Sequence, residues 1–246
     1  MDSNVKSFLN NLQEINDANT IAIKVPSTGK NASFKLASVN QQKELLRSAF
    51  DGVDGVIKRA NILNSIIINN CKEDINFLII DKPAILIGLR KESIGSKLDI
   101  KGESYDLNDL PSIKKTDIKL SQTVSYDNIT AKLKVPNLAL DTEVNKKLEA
   151  ELAKIADQQE KVKQSVDIVV SYETTKYIDS IKIGDIEVAF SDISAYERRE
   201  IVNNLPLKLN NKIIEYIGAI KKSTDVALRF SEEVLVEIDA SFLSAD

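Results

Sequence analysis

The chain contains no histidine and no tryptophan, and only one cysteine and one methionine. Without imidazole it lacks the one side chain that ordinarily titrates near neutral pH, and with it the commonest metal ligand. Ser-His-Asp triads, Cys-His dyads and histidine-held metals are therefore excluded. The lone Cys71 can form no intramolecular disulfide, thiolate zinc site or iron–sulfur cluster. It follows the apolar run 62–68 and Asn69-Asn70, so it reads as a buried thiol rather than a nucleophile. The glycines form no GxGxxG after any strand, which removes the dinucleotide fingerprint. Gly29-Lys30 resembles the end of a phosphate loop, but Lys24 and Asn31 stand where that motif needs Gly and Ser or Thr. A hairpin turn is the better reading.

Aromatic residues make up 5% of the chain, too few to furnish a sugar-stacking groove. Carboxylate pairs that could do acid–base work are Glu149 with Glu151, Asp185 with Glu187, and Glu232 with Glu233. All sit among charged neighbours and read as solvated surface. No catalytic, cofactor-binding or metal-binding residue is therefore expected, and no small-molecule substrate. Against 33 basic residues stand 37 acidic ones, a net charge of -4, so the positive field that attracts nucleic acid or anionic membrane is missing. Arg198-Arg199 and Lys221-Lys222 are short basic pairs best read as helix surface. No run approaches the roughly 18 apolar residues that cross a bilayer, and Met1-Asp2-Ser3-Asn4 lacks the pattern of a secretion signal. The expected place of synthesis is the cytosol.

What is present is a chain with 43% hydrophobic and 28% charged residues, within the globular range. Val5, Phe8, Leu9, Leu12 and Ile15 recur at helical spacing, which predicts a first amphipathic helix over 2–17. Residues 20–25 and 32–36 read as two strands around the turn Pro26-Ser27-Thr28-Gly29. Ser38 can cap a helix reaching Phe50, Gly52 and Gly55 are expected to break it, and a second helix is expected over 56–69. Asp81 looks like the cap of a third helix that has Pro83 in its first turn and ends near Gly95.

Between 97 and 135 the period changes to alternation, with Ile118, Leu120, Ile129, Ala131, Leu133 and Val135 opposed to polar neighbours, which predicts a small β insert. Asp141 can then cap a long helix whose Leu148, Leu152, Ile155, Gln159, Val162, Val166 and Val169 form a heptad seam. That seam can pack on another helix of the same chain or on a partner chain, and polar 159–163 is where a break would come. A hairpin turning at Gly184-Asp185, a helix opened by a Ser194–Glu197 capping box, another after Pro206, and a closing strand at 234–238 complete the reading. The expected class is α+β: an N-terminal β-hairpin with helices (1–96), a small central β insert (97–137), and a long helix followed by a C-terminal helical region with hairpins (138–246).

The order of these signals resembles a known family. Three blocks carry the likeness: Ile21-Ala22-Ile23-Lys24-Val25-Pro26-Ser27-Thr28-Gly29 with Phe34-Lys35-Leu36 and the helix from Gln41; Ile79-Ile80-Asp81 with Ala84-Ile85-Leu86-Ile87-Gly88-Leu89-Arg90 and Ser93-Ile94-Gly95; and Tyr177-Ile178-Asp179-Ser180-Ile181 through Leu205-Pro206 to Tyr216, closed by Val236-Glu237-Ile238-Asp239 and Phe242. They resemble the baseplate hub subunit and hub-assembly proteins of T-even-type contractile-tailed phages. Some relatives carry cysteine pairs in the β region that suggest a zinc ribbon; this chain has none there, so no zinc role carries over. The resemblance implies a structural hub subunit of the virion tail that is assembled in the host cytoplasm and partnered by other tail and baseplate hub proteins. An assembly chaperone absent from the mature virion is the alternative. Under either, the expected partner contacts are the hairpin tip Pro26, Ser27, Thr28 and Gly29 and the heptad face Leu152, Ile155, Gln159, Val162 and Val166, while Asp81 and Arg90 are expected to fix a helix and its cap.

Overall fold

A computed structural model describes residues 3–112 and 118–244. Helix α1 (Ser3–Ala18) leads into the hairpin β1 (Thr20–Lys24) and β2 (Asn31–Lys35), then α2 (Val39–Arg47), α3 (Gly52–Asn70) and α4 (Lys82–Ser93). A second hairpin, β3 (Lys97–Ile100) with β4 (Glu103–Asp106), precedes β5 (Ser121–Tyr126), β6 (Ile129–Lys134), α5 (Leu138–Leu152) and α6 (Gln158–Lys176). The chain closes through β7 (Ile178–Ile183), β8 (Ile186–Ala189), α7 (Ala195–Asn203) and α8 (Leu207–Val226). The class is α+β, with the N-terminal hairpin and C-terminal helices where the sequence puts them.

Local signals explain most of the boundaries. The Ser38 hydroxyl accepts from the Gln41 amide at 3.3 Å while Gln41 accepts from the Ser38 amide at 2.9 Å, and Ser194 and Glu197 repeat this reciprocal cap at α7. Gly184 takes φ +58° in the two-residue turn between β7 and β8, a left-handed conformation suited to glycine.

Elsewhere the structure differs from the sequence reading. Gly55 does not break a helix but lies inside α3, where an added Cβ would stand 2.2 Å from the Ser48 carbonyl oxygen; its role is close backbone approach. The long heptad helix is two helices. It ends at Leu152, Ile155 folds back onto the hydrophobic cluster beside it, and Asp157 restarts the chain as cap of α6 by accepting from the Glu160 amide at 2.8 Å. The break thus falls before 159–163. The cap of α5 is Asn137, not Asp141, which sits in the first helical turn and faces inward. Within the central β segment, β5 and β6 pair on into β7 and β8 to give one four-stranded antiparallel sheet. The expected closing strand is reduced to a single bridge between Arg229 and Leu235.

Three hydrophobic clusters hold these elements. The first gathers β1, β2, α3 and α4 around Phe34, Leu45, Ile67 and Leu86, and it also takes Leu107, Leu138, Val236, Phe242 and Leu243. Its members therefore come from all three expected segments. The second lies between the four-stranded sheet and α8, and the third joins α5 and α6 to Ile57 of α3 and Ala195 of α7.

A buried ion cluster links the halves of the chain. The Asp141 carboxylate of α5 meets Lys176 of α6 at 2.7 Å, Lys82 of α4 at 3.6 Å and the Asn64 amide of α3 at 2.8 Å. Lys176 also donates to Asn145 at 2.9 Å and to Glu173 at 2.6 Å. Burial alone would push the Asp141 pKa up, but the Lys176 and Lys82 ammoniums outweigh it and hold the carboxyl below its ordinary value. Burial pulls Lys82 down, while for Lys176 its carboxylate partners prevail over burial and the pKa rises.

Asp141→Asn should therefore destabilise the fold by about 3–5 kcal/mol, the usual penalty for leaving a buried charge unmatched, measured by urea denaturation at pH 7. The unfolded aspartate titrates near pH ~4, and the folded one holds its proton less tightly. Its contribution is thus complete above about pH 4 and is lost as pH falls through the lower folded value. The difference between wild type and Asn variant should shrink over that acid range and not over pH 6–8.

Candidate functional site

The hairpin tip is pinned by a carboxylate from the far side of the first cluster. Asp81 accepts from the Ser27 amide at 2.7 Å, the Ser27 hydroxyl at 2.8 Å and the Leu78 amide at 2.8 Å. Asp81 holds the expected N-cap position of α4, but its carboxylate makes no cap hydrogen bond to that helix and clamps the tip instead. Burial raises the Asp81 pKa, against the pull of the Ser27 and Leu78 donors. Pro26 and Ser27 are consequently buried, whereas Thr28 and Gly29 are exposed, Gly29 with φ +72°.

Arg90 is buried at the other end of α4. Its guanidinium donates to the Phe242 and Ser244 carbonyls at 2.7 and 2.8 Å and to the Lys97 carbonyl at 3.1 Å, and it lies 5.7 Å from the Phe242 ring centre. Helix α4 thus holds the tip of the first hairpin at one end and the end of the described chain at the other.

The heptad residues part company. Leu152 is buried and Ile155 packs against the same third cluster as Ile168 and Tyr172, so this stretch of the seam is satisfied within the chain. Val166 is 61% exposed, and Val170 one turn later is also exposed. The side chains of Gln159 and Val162 lie outside the described residues.

An uncovered apolar surface lies on α1. Its five periodic side chains, Val5, Phe8, Leu9, Leu12 and Ile15, are 44% to 64% exposed, although they line one face of a regular helix. An Asp17–Lys35 ion pair at 2.5 Å ties its C-terminal end to β2. Periodicity identified the helix; it carried no sign that the apolar face would be left without a cover.

A groove of about 520 Å³ runs beside the outer edge of β1, with α4 as its floor and the stretch 107–112 along its wall. Gly88 sets the fit of strand on helix, since a Cβ there would come within 2.8 Å of the Ile23 side chain. Among the described residues no group of three or more His, Cys, Asp or Glu side chains is placed to hold a metal ion. No helix among them is long and apolar enough to cross a membrane.

With hairpin, α4 clamp and C-terminal helices in place, the family model for the T4 bacteriophage base plate protein matches residues 18–233, most of the chain. The chain belongs to that family. It is a component of the phage tail base plate. No curated protein and no solved structure matches it. The matched region of this base plate chain begins at the last residue of α1, so the uncovered helical face lies N-terminal to it.

Ser27→Ala removes one of the three donors to a buried carboxylate in this base plate protein. It should lower the unfolding free energy by about 1–2 kcal/mol in urea denaturation, while Thr28→Ala, at the exposed side of the same tip, should change it by less than about 0.5 kcal/mol.

Proposed function

We propose that this chain is a structural subunit of the base plate hub and that it acts by binding neighbouring tail proteins rather than by catalysis. The hub reading is supported by the three sequence blocks that resemble hub proteins, and the binding reading by the chain's lack of histidine. The observation that carries the proposal is the face of α1. Five large apolar side chains along one helix are exposed to solvent, and a contiguous apolar patch of this kind on a soluble chain marks a surface that another protein covers. An amphipathic helix fits a partner's apolar groove through residues at i, i+3, i+4 and i+7, the spacing of Val5, Phe8, Leu9 and Leu12. The exposed Val166 and Val170 and the tip residues Thr28 and Gly29 are secondary contacts in the same reading.

The test is quantitative mass spectrometry of purified particles from cells in which the chain carries Phe8→Asp and Leu12→Asp. The wild-type chain should be found in particles at a low and fixed ratio to the tube protein. The double variant should keep the wild-type unfolding midpoint, because both side chains are already in water, yet be lost from particles at least tenfold. A wild-type chain abundant in lysate and absent from particles would overturn the subunit reading and mark an assembly factor instead.

A further inference from the structure

The first hairpin leaves one strand edge unpaired. The Val25 amide donates to the Lys30 carbonyl at 2.8 Å, and the register pairs Ile23 with Ala32 and Ile21 with Phe34. In an antiparallel ladder alternate residues turn their polar groups to the partner strand, so Ile21, Ile23 and Val25 face β2 and the N–H and C=O groups of Ala22 and Lys24 point outward. Among the described residues no hydrogen bond reaches those outward groups. They border the groove of about 520 Å³ whose sides carry Ile87, Gly88, Lys91, Leu110 and Pro111.

We infer that this groove receives an extended segment of another tail protein, which adds as a third strand to the edge of β1. A bare row of main-chain donors and acceptors beside an apolar trough is matched by a peptide backbone in the β conformation: the backbone completes the ladder and every second side chain enters the trough. The ladder also fixes the ligand's alternation. Side chains on the Ile23 face meet α4 and must be apolar, and those on the opposite face lie beside Lys24, which makes no ion pair among the described residues. The segment is therefore apolar on the α4 side and acidic on the Lys24 side, by turns. A second copy of this chain does not fit. The β1 strand of a second copy would bring Ala22 and another Lys24 where an acidic side chain is called for. This site is separate from the face of α1 and does not depend on it.

The isotopically labelled full chain is titrated with a blocked pentapeptide alternating valine and glutamate, and with the same peptide N-methylated at its edge-facing amides. Strand addition predicts saturating shifts of the Ala22 and Lys24 amides with hydrogen exchange there slowed at least tenfold. It also predicts binding at least tenfold weaker for the N-methylated peptide. Ala22→Pro, which removes an outward N–H and no β1–β2 hydrogen bond, should abolish binding. Lys24→Glu should invert the preference towards a valine–lysine peptide, which keeps the test decisive if the proline variant fails to fold. Equal binding of both valine–glutamate peptides would reduce the groove to a non-specific apolar trough. Unmoved Ala22 and Lys24 signals at millimolar peptide would remove the site altogether. Neither result would alter the outcome for α1 in purified particles.

Discussion

The buried carboxylate of Asp141 is the constraint on which the arrangement of this chain depends. Taking a charge out of water is costly, and a buried carboxylate is tolerated only where its partners are held in place. Here the partners come from three helices, Asn64 from α3, Lys82 from α4 and Lys176 from α6, converging on Asp141 of α5. Apolar packing tells helices to stay together but says little about the angle or register at which they do so. The ion cluster supplies that information, because a shift of α5 by one turn would take the buried Asp141 carboxylate away from Asn64, Lys82 and Lys176. The N-terminal hairpin region and the C-terminal sheet are in this way set at one mutual position.

The same economy of polar contacts recurs around α4. This helix is apolar on most of its surface and buried through Ile85, Leu86 and Leu89, yet its ends carry Asp81 and Arg90, which grip backbone groups distant in sequence. One holds the tip of the first hairpin and the other the last described residues. On the fold so held, an apolar helical face and an unpaired strand edge remain open. Both suit a base plate component, whose partners must find it against a fixed background.

Much of the fold was legible in the sequence because its signals are local. Ser38 with Gln41, Ser194 with Glu197, Pro206 before α8 and the glycine turn at 184 act through neighbours three or four residues away, and all appear where expected. What failed depends on distant partners. Asp141 has the composition of a helix cap, and nothing near it in sequence reveals that Lys82 and Lys176 will call it inward. Asp81 does stand at the N-cap of α4, but its hold on Ser27, 54 residues upstream, was not legible. The heptad run continued on paper through 153–157 because periodicity does not register a turn that Ile155 can satisfy by packing. For the candidate surfaces, period showed which face of α1 is apolar, but exposure is a property of the assembled chain. The β1 edge was less visible still, being made of main-chain groups that every sequence possesses.

Arg90 and the residues it holds have a bearing on how the molecule comes into being. Val236, Phe242 and Leu243 share the first cluster with Phe34 and Leu45, so that cluster joins segments far apart in sequence. During translation the hairpin and α2 to α4 emerge first, and the cluster cannot close until Val236, Phe242 and Leu243 have followed them. Contacts of such wide sequence separation slow folding. Through that interval the nascent chain carries an unsealed apolar surface and a guanidinium without its carbonyls. Emergence of Val236, Phe242 and Leu243 is the event that seals the core.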